Sequence, residues 1–491
     1  MFSRPSIRMY LVSARILACA LFVYMLLRAN LIGFTHDESA SFLGLIHVPA
    51  YDLFFDKNNW GTANNHLLNT LCMQLGMYLF GPQEWALRWG SLLGGLLFLR
   101  YAWRWSALYR APNTPDFLAA FALLSLQPFL LEFFSLARGY GLCIGLEMAA
   151  LFYFFRWIKE QSAWDLLRGS LALSVGILAN FTLLDVLAVW LIAVVFAYYL
   201  ANPAAFSLFK ALRLLVIPMI PVLVTAALIF LPMRWIRANG EFEWGPVSFW
   251  ETWRVLLEHY FFNPFRPAMI GKVLIAVLGT VGFLGMMRLM TKWFRKAGVQ
   301  HYAALFYAVV LTVGTMLVTI LQHILLGANY LIGRTALLFY PLLFVLLVLF
   351  LLEWTQKTGK KTGLWAFSIF ALVNFCASAN LFFSREWRYD QDVKTVITTL
   401  GRLDTRFKKI NYGVGWKNAP ATQFYQQFYP STWKMQYFEP VLYDHGHQDV
   451  QWFMEHDFDY IYVLKEFESQ ILSNYILVKS YAQGGLYRRK P

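Results

Sequence analysis

The sequence predicts an α-helical polytopic membrane protein of about 11 transmembrane helices, followed by a small C-terminal α/β domain outside the bilayer. Three observations predict it. Of 491 residues, 58% are apolar and only 14% charged, whereas soluble domains run near 45–50% and about 25%; the mean hydropathy is +0.48. The apolar residues come in runs of about 20, long enough for a helix to cross the hydrocarbon core. These runs stop after residue 383, where strand-like and helix-like pieces alternate.

The candidate spans are 12–33, 85–103, 117–133, 139–157, 166–181, 183–200, 213–232, 269–288, 302–322, 335–353 and 364–383. The first follows Arg4, Arg8 and Arg15. It shows no clear cleavage site and runs on through Leu26 and Leu27 to Phe34, which reads as an uncleaved span rather than a secretory signal. With the N-terminus inside, one set of loops carries Arg104, Arg110, Arg156, Lys159, Lys292, Arg295 and further bases. The opposite loops hold most of the acids, among them Asp37, Glu38, Asp52, Asp56, Glu84 and Glu241. This is the positive-inside pattern, and an odd number of spans then puts the C-terminal region outside. The net charge of +14 belongs to this orientation signal, so nucleic acid is not an expected partner. Cys19, Cys72, Cys143 and Cys376 are scattered in apolar surroundings and suggest neither a metal cluster nor a disulfide framework.

Domain organisation follows: residues 1–383 form the membrane domain and 384–491 an extracytoplasmic α/β domain. The outer loop 34–84 contains an amphipathic stretch from Ala63 to Phe80, suited to a helix lying along the interface. The outer loop 233–268 is rich in Trp235, Trp244, Trp250, Trp253, Phe261 and Phe262, as expected at headgroup depth. Beyond 384, Lys409 to Val414, Tyr460 to Leu464 and Tyr475 to Val478 read as strands; Ala419 to Phe428 and Gln448 to His456 read as helices. An aromatic stretch (Phe424, Tyr425, Phe428, Tyr429, Trp433, Tyr437, Phe438) serves either a core or sugar stacking, and the core is the commoner use.

His36-Asp37-Glu38 directly follows the first span. Adjacent carboxylates at a membrane boundary are costly unless solvated or employed. One reading makes them a solvated loop start. The other makes one a general base for an acceptor hydroxyl, or a divalent-cation ligand with His36 or His66. Asn64-Asn65-His66 opens the interfacial helix, where the asparagines can cap and His66 is an ordinary interfacial residue or a ligand contact. Arg88 enters the second span and either snorkels or meets substrate. Arg138, in a short outer turn with Tyr140, and Arg334, at the start of a later span, sit where arginines are least expected. Each binds phosphate oxygens or pairs internally, Arg138 with Glu132. Asp185, Glu147 and Arg28 are ionisable groups within apolar runs, either functional or internally hydrogen-bonded. There is no Gly-rich phosphate loop, HExxH, GxSxG or paired CxxC, so nucleotide-driven transport and the common hydrolase mechanisms lack support.

Taken in order, these motifs resemble a known family. They are the Asp37-Glu38 pair after the first span, the interfacial helix near His66, Glu84-x-x-x-Arg88, the Ala137-Arg138-Gly139-Tyr140 turn, and Arg334 ahead of a span containing Pro341. The chain resembles the GT-C superfamily over residues 1–383, and is most similar to bacterial relatives of protein O-mannosyltransferases and of the lipid A aminoarabinose transferase. The resemblance implies an inverting glycosyltransferase of the inner membrane, transferring a hexose or pentose on the outer face. The donor is a sugar on a polyprenyl phosphate, and the acceptor an envelope lipid, glycan or protein. Asp37 matches the family's catalytic carboxylate. Glu38 assists it or helps hold a divalent cation (Mg or Mn), with Asp37, Glu38 and His66 the candidate ligands and no ligand set secured. Arg138 and Arg334 are the expected partners of the leaving phosphate, with Lys57 a third cation; His66, Tyr140 and Arg88 complete the expected substrate contacts. Relatives often carry His-Pro where this chain has His66-Leu67. Three other readings compete: a secondary transporter or flippase of a lipid-linked substrate, which needs charges near the midplane and related halves, a lipid-linked glycan ligase or polymerase, and a non-catalytic envelope scaffold whose C-terminal domain binds a partner.

Overall fold

The computed structural model of the chain describes residues 7–201, 207–261, 303–403, 410–428, 433–437, 452–470 and 474–490. In chain order its first helices are α1 (Ile7–Leu31), α2 (His36–Leu45), α3 (Ala50–Phe55), α4 (Leu67–Phe80), α5 (Glu84–Leu87), α6 (Trp89–Tyr109), α7 (Pro115–Ser125), α8 (Pro128–Phe133) and α9 (Gly139–Glu160). There follow α10 (Ala163–Ala179), α11 (Leu183–Ala201), α12 (Leu208–Ala238), α13 (Phe249–Tyr260), α14 (Ala303–Leu326), α15 (Phe339–Thr358), α16 (Thr362–Ser378), α17 (Val393–Leu403) and α18 (Ala419–Gln426). The chain divides into two units. One comprises Met1–Leu26, Ala50–Cys72 and Trp89–Ala379; the other Leu27–Pro49, Met73–Arg88 and Asn380–Pro491.

Lipid offers no hydrogen-bond partner to a peptide group, so apolar runs close their backbone bonds internally as helices. Among the described residues, six helices are long and apolar enough to cross a membrane: Arg8–Leu31, Gly139–Glu160, Leu183–Ala201, Leu212–Ala238, Ala304–Leu326 and Phe339–Thr358. On α12, Val216, Ile220, Leu223 and Val224 are all more than half exposed, the surface a lipid-facing helix presents. The remaining predicted spans are shorter or interrupted. Residues 117–133 form two helices because Pro128 excludes the helical conformation at Gln127, which is extended at φ −107°, ψ 99°. The run at 85–103 breaks at Arg88, leaving one turn as α5 before α6 begins at Trp89. The runs at 166–181 and 364–383 become α10 and α16, each 17 residues long. The predicted span 269–288 lies outside the described residues.

Within the helical unit, α6 and α9 meet backbone to backbone. A Cβ added to Gly94 would lie 2.4 Å from the Gly141 carbonyl oxygen, and one on Gly145 would lie 2.2 Å from that of Gly94. Small residues at such a crossing let helices gain van der Waals contact where lipid provides no hydrophobic drive.

The second unit is built on a five-stranded sheet of β1 (Ile410–Val414), β2 (Trp433–Tyr437), β3 (Tyr460–Leu464), β4 (Tyr475–Ser480) and β5 (Gly484–Arg489), in the order β2-β1-β3-β5-β4. β1 is parallel to β2 and β3, while β5 is antiparallel to β3 and β4. Phe453, Phe458, Ile461, Val463, Tyr475 and Tyr487 form one apolar core of this sheet. Three strands and the helix α18 fall where the sequence placed them. Of the helix expected from Gln448, residues up to 451 lie outside the described residues. Two strands went unread. β5 opens on Gly484-Gly485 and closes on Arg488-Arg489, with no β-branched residue to mark it; Gly484 is required there, since a Cβ would fall 2.2 Å from the Val463 carbonyl oxygen. β2 hides in the aromatic stretch, where Phe424, Tyr425 and Trp433 are buried as core residues and Phe428 is exposed. Tyr429 and Phe438 lie outside the described residues.

Candidate functional site

The carboxylate pair lies in the sheet-containing unit. After α1 ends, Thr35 takes an extended conformation (φ −83°, ψ 168°) and starts α2 at His36, so Asp37 and Glu38 both fall in its first turn. Negative charge is favoured there by the helix dipole. Glu38 is fully buried. Its Oε2 accepts the Thr35 backbone N–H at 2.9 Å, closing a Thr-x-x-Glu capping interaction. Its two oxygens also receive Arg88 in a bidentate pair, Nε to Oε1 and Nη2 to Oε2, each at 2.7 Å. Arg88, equally buried, donates its other hydrogens to the carbonyls of Ala29 at 3.0 Å, Ile32 at 2.7 Å and Gly33 at 3.0 Å. A guanidinium has five N–H donors, and these contacts use all of them. Arg88 therefore neither snorkels to headgroups nor keeps a donor for a ligand: it closes the C-terminal end of α1 and locks Glu38 beneath α2.

Asp37, the neighbour of that locked pair, is half-buried. The residue before it is held from two sides. The His36 backbone N–H donates to Asp390 Oδ2 at 2.6 Å, and His36 Nδ1 lies 2.7 Å from the Lys417 carbonyl oxygen. Asn418 Nδ2 donates to the other Asp390 oxygen at 3.1 Å. Burial pushes the Asp390 carboxyl well above the ordinary carboxylate range, and the charges of Asp37 and Glu38 add to the shift. Further along, Tyr425 Oη accepts the Phe34 backbone N–H at 2.7 Å and donates to Glu84, which also receives Lys394 Nζ at 2.6 Å. Arg28, buried, donates to the carbonyls of Asn380 and Phe383.

The cationic residues lie in the helical unit. Arg138 is the N-terminal flanking residue of α9 (φ −129°, ψ 146°) and is 2% exposed. The turn that carries it is fixed by Asn69 Nδ2 donating to the Ala137 carbonyl at 2.9 Å and Ser91 Oγ donating to the Arg138 carbonyl at 2.9 Å. Gly139 is required by close approach, since a Cβ would lie 1.8 Å from the Ala179 carbonyl oxygen. That carbonyl lies 3.1 Å from His66 Nδ1, and the His66 ring sits edge-on to Tyr140 at 5.1 Å. A carbonyl only accepts, so Nδ1 carries the proton and Nε2 is an acceptor; this buried Nε2 has no hydrogen-bond partner among the described residues. Burial holds the imidazole well below the ordinary histidine range, helped by the charges of Arg138 and Arg334. Arg334 is half-buried in the turn Gly333–Ala336, and its charge reaches His66. Lys57 lies exposed in the turn Lys57–Trp60.

A divalent cation does not suit these residues. The Glu38 oxygens are engaged by Arg88, and His66 stands in the field of two guanidinium groups. Among the described residues, no group of three or more His, Cys, Asp or Glu side chains could hold a metal ion.

No family model matches the chain, and no curated protein matches it. Among solved structures it is similar to ArnT from Cupriavidus metallidurans bound to undecaprenyl phosphate, over 97% of this chain and 97% of that one, at 11% identity and a TM-score of 0.51. The chain shares the fold of that protein. The apo structure of the same ArnT aligns over 97% of this chain and 98% of that one, at 12% identity and a TM-score of 0.41. The shared fold is that of a polytopic helical membrane protein with a C-terminal domain.

The sequence singles out none of Asp390, Asn418 and Lys394, and marks Tyr425 only as a core or sugar-stacking residue. Asp390, Lys394 and Tyr425 bond partners more than 300 residues away, Asn418 bonds Tyr389 and Asp390 locally, and none carries a motif of its own. One signal was available: Thr35-x-x-Glu38 is the pattern of a capping box and announces that Glu38 bonds backbone. Of the buried spanning residues, Asp185 Oδ1 accepts Gln322 Nε2 at 2.6 Å, and Glu147 has neither oxygen hydrogen-bonded among the described residues.

Proposed function

We propose that the chain is an inverting glycosyltransferase that moves a hexose or pentose from a polyprenyl-phosphate donor to a lipid, glycan or protein acceptor of the cell envelope. The observation that carries this reading is the end-to-end fold match to ArnT crystallised with undecaprenyl phosphate, on a chain that presents a half-buried carboxylate, Asp37, in the first turn of α2. In this reading residues 1–383 are the catalytic membrane domain of an inner-membrane protein. The active site and residues 384–491 face the periplasm, on the side the charge asymmetry assigns.

Asp37 is the general base. Its carboxylate takes the proton of the acceptor hydroxyl as that oxygen attacks the anomeric carbon from the face opposite the phosphate. The anomeric C–O bond breaks with its electrons passing to the phosphate, so the configuration inverts. Arg138 and Arg334 meet the charge that grows on the leaving lipid phosphate, an interaction stronger in the transition state than in the ground state. Neutral His66, with Nε2 as an acceptor, takes a hydroxyl hydrogen of the bound substrate, and Tyr140 backs its ring. Glu38 and Arg88 act on structure, by fixing α2 against the end of α1. Lys57, exposed, contributes at most long-range attraction for the anionic donor.

The test is transfer of label from radiolabelled polyprenyl-phosphate sugars to acceptors in host membranes, by wild type and by a folded Asp37→Asn variant. Transfer by wild type and its loss in the variant support the reading; absence of transfer with every donor overturns it, and equal transfer by both removes Asp37 from the role of base.

A further inference from the structure

The first turn of a helix leaves backbone N–H groups without intrahelical partners, and α2 fills these positions in an unusual way. The Thr35 N–H turns to Glu38, three residues on. The His36 N–H turns to Asp390, 354 positions away, at 2.6 Å. Asp390 is 2% exposed and Asn418, which donates to its second oxygen, is also 2% exposed. Asn418 donates further to the Tyr389 carbonyl at 2.9 Å, so Asp390 is held on both sides of its own turn. The neighbouring Lys417 carbonyl takes the His36 ring. Both the backbone and the side chain of the residue preceding Asp37 are thus fastened to the stretch 389–418.

That stretch is itself tied to the sheet. Asp392, two residues beyond Asp390, accepts Tyr462 Oη of β3 at 2.9 Å and the Gln483 backbone N–H, just before β5, at 2.6 Å. The sheet bonds Asp392 and His36 bonds Asp390, two residues earlier on the same segment, so the sheet is linked to the residue before Asp37. Holding a cap this way is expensive. A carboxylate buried beside two others is disfavoured by desolvation and by like charge, where a neutral cap or a water would serve a helix end at lower cost.

We propose that Asp390 is a positioning residue for the general base: by bonding the His36 backbone it sets the direction in which α2 presents Asp37, and the C-terminal sheet is the frame against which that direction is fixed. The inference rests on the transferase reading above. It gives residues 384–491 a part in the chemistry without any contact with substrate.

The experiment uses the full-length protein in lipid nanodiscs. Hydrogen exchange of peptides spanning residues 34–40 is compared with that of peptides from β3 and β5, in wild type, Asp390→Ala and Asp390→Asn. Label-transfer kinetics are measured on the same samples. In Asp390→Ala the His36 amide is expected to exchange at least tenfold faster while the sheet peptides keep their protection. Its kcat is expected to fall by about a hundredfold, the cost of displacing a reacting group by about 1 Å, with KM for donor and acceptor within about twofold of wild type. Asp390→Asn, which keeps one acceptor for the His36 N–H but sets its NH2 against the Asn418 amide, is expected to recover part of both losses. Faster exchange with kcat unchanged makes Asp390 a structural cap only and overturns the proposal, as does unchanged exchange. A fall in kcat that Asp390→Asn does not recover also overturns it. A wild type without transfer activity overturns the transferase reading itself, and the exchange data then still decide whether the bond holds α2.

Discussion

Replacing Arg88 by Met separates the substrate contact that the sequence offered for this residue from the internal support that its bonds provide. The substitution keeps the apolar stem and removes all five bonds that Arg88 makes. Glu38, with no exposed side-chain surface, is left as a buried carboxylate without its counter-charge, and three carbonyls at the end of α1 lose their donors. Breaking a buried pair from one side costs about 3–5 kcal/mol, and the orphaned carbonyls add to it. Arg88→Lys should fall between wild type and Met, because an ammonium offers three donors where five bonds exist and cannot pair bidentately. A Glu38→Leu/Arg88→Met double variant should be more stable than Arg88→Met alone, since no buried charge is then left unpaired. Reversible unfolding in mixed micelles reads the stabilities, and label transfer per folded molecule reads the function. The reasoning is refuted if Arg88→Met unfolds within about 1 kcal/mol of wild type yet loses donor affinity, for Arg88 would then be acting on substrate.

Further expectations follow from the same contacts. Gly139→Ala should abolish correct folding of the helical unit, because the new methyl would overlap the Ala179 carbonyl at 1.8 Å; monodispersity on size exclusion reads this, and a normally folded, active Ala variant would contradict the tight turn. Tyr425→Phe should cost about 1–3 kcal/mol by leaving the Phe34 N–H and Glu84 short of a partner, measured by the same unfolding assay. For His66 the folded imidazole is held below its ordinary value of 6.5 by burial and then by the two arginines. The sign is therefore fixed: the stability it contributes is complete above about pH 6.5 and is lost as the pH falls below that, by up to about 1.4 kcal/mol per pH unit. His66→Gln should flatten this dependence, and an unchanged slope would place the titrating group elsewhere.

Much of the fold was legible because one physical rule dominates it. A chain in lipid must satisfy its peptide groups locally, so runs such as 139–157 and 183–200 give away their helices by length and composition alone. The rule fails where a second constraint intervenes. Pro128 splits an apolar stretch that hydropathy reads as continuous, and Arg88 ends a turn because its guanidinium is needed by carbonyls 55 to 59 residues earlier. In the C-terminal unit, strands rich in branched and aromatic residues such as Tyr460–Leu464 were readable. The glycine-opened β5 was not, because a close backbone approach explains its residues better than propensity does. At the site, position and charge singled out Asp37, Glu38, Arg138 and Arg334, but type and spacing do not distinguish a fully buried, arginine-paired carboxylate from a half-buried one. That distinction lies in long-range partners. Glu38 is occupied by Arg88, and the neighbour of Asp37 is held by Asp390, whose place in the fold no local pattern announces.

The central claim, inverting transfer with Asp37 as base, is tested most directly by the linkage of the product. A single turnover with a polyprenyl-phosphate sugar of known anomeric configuration, followed by NMR of the isolated product, reports which face of the sugar was attacked. The account predicts the opposite configuration in the product and no product from Asp37→Asn. A product with the donor's configuration, or one formed equally well by the Asp37 variant, would contradict it.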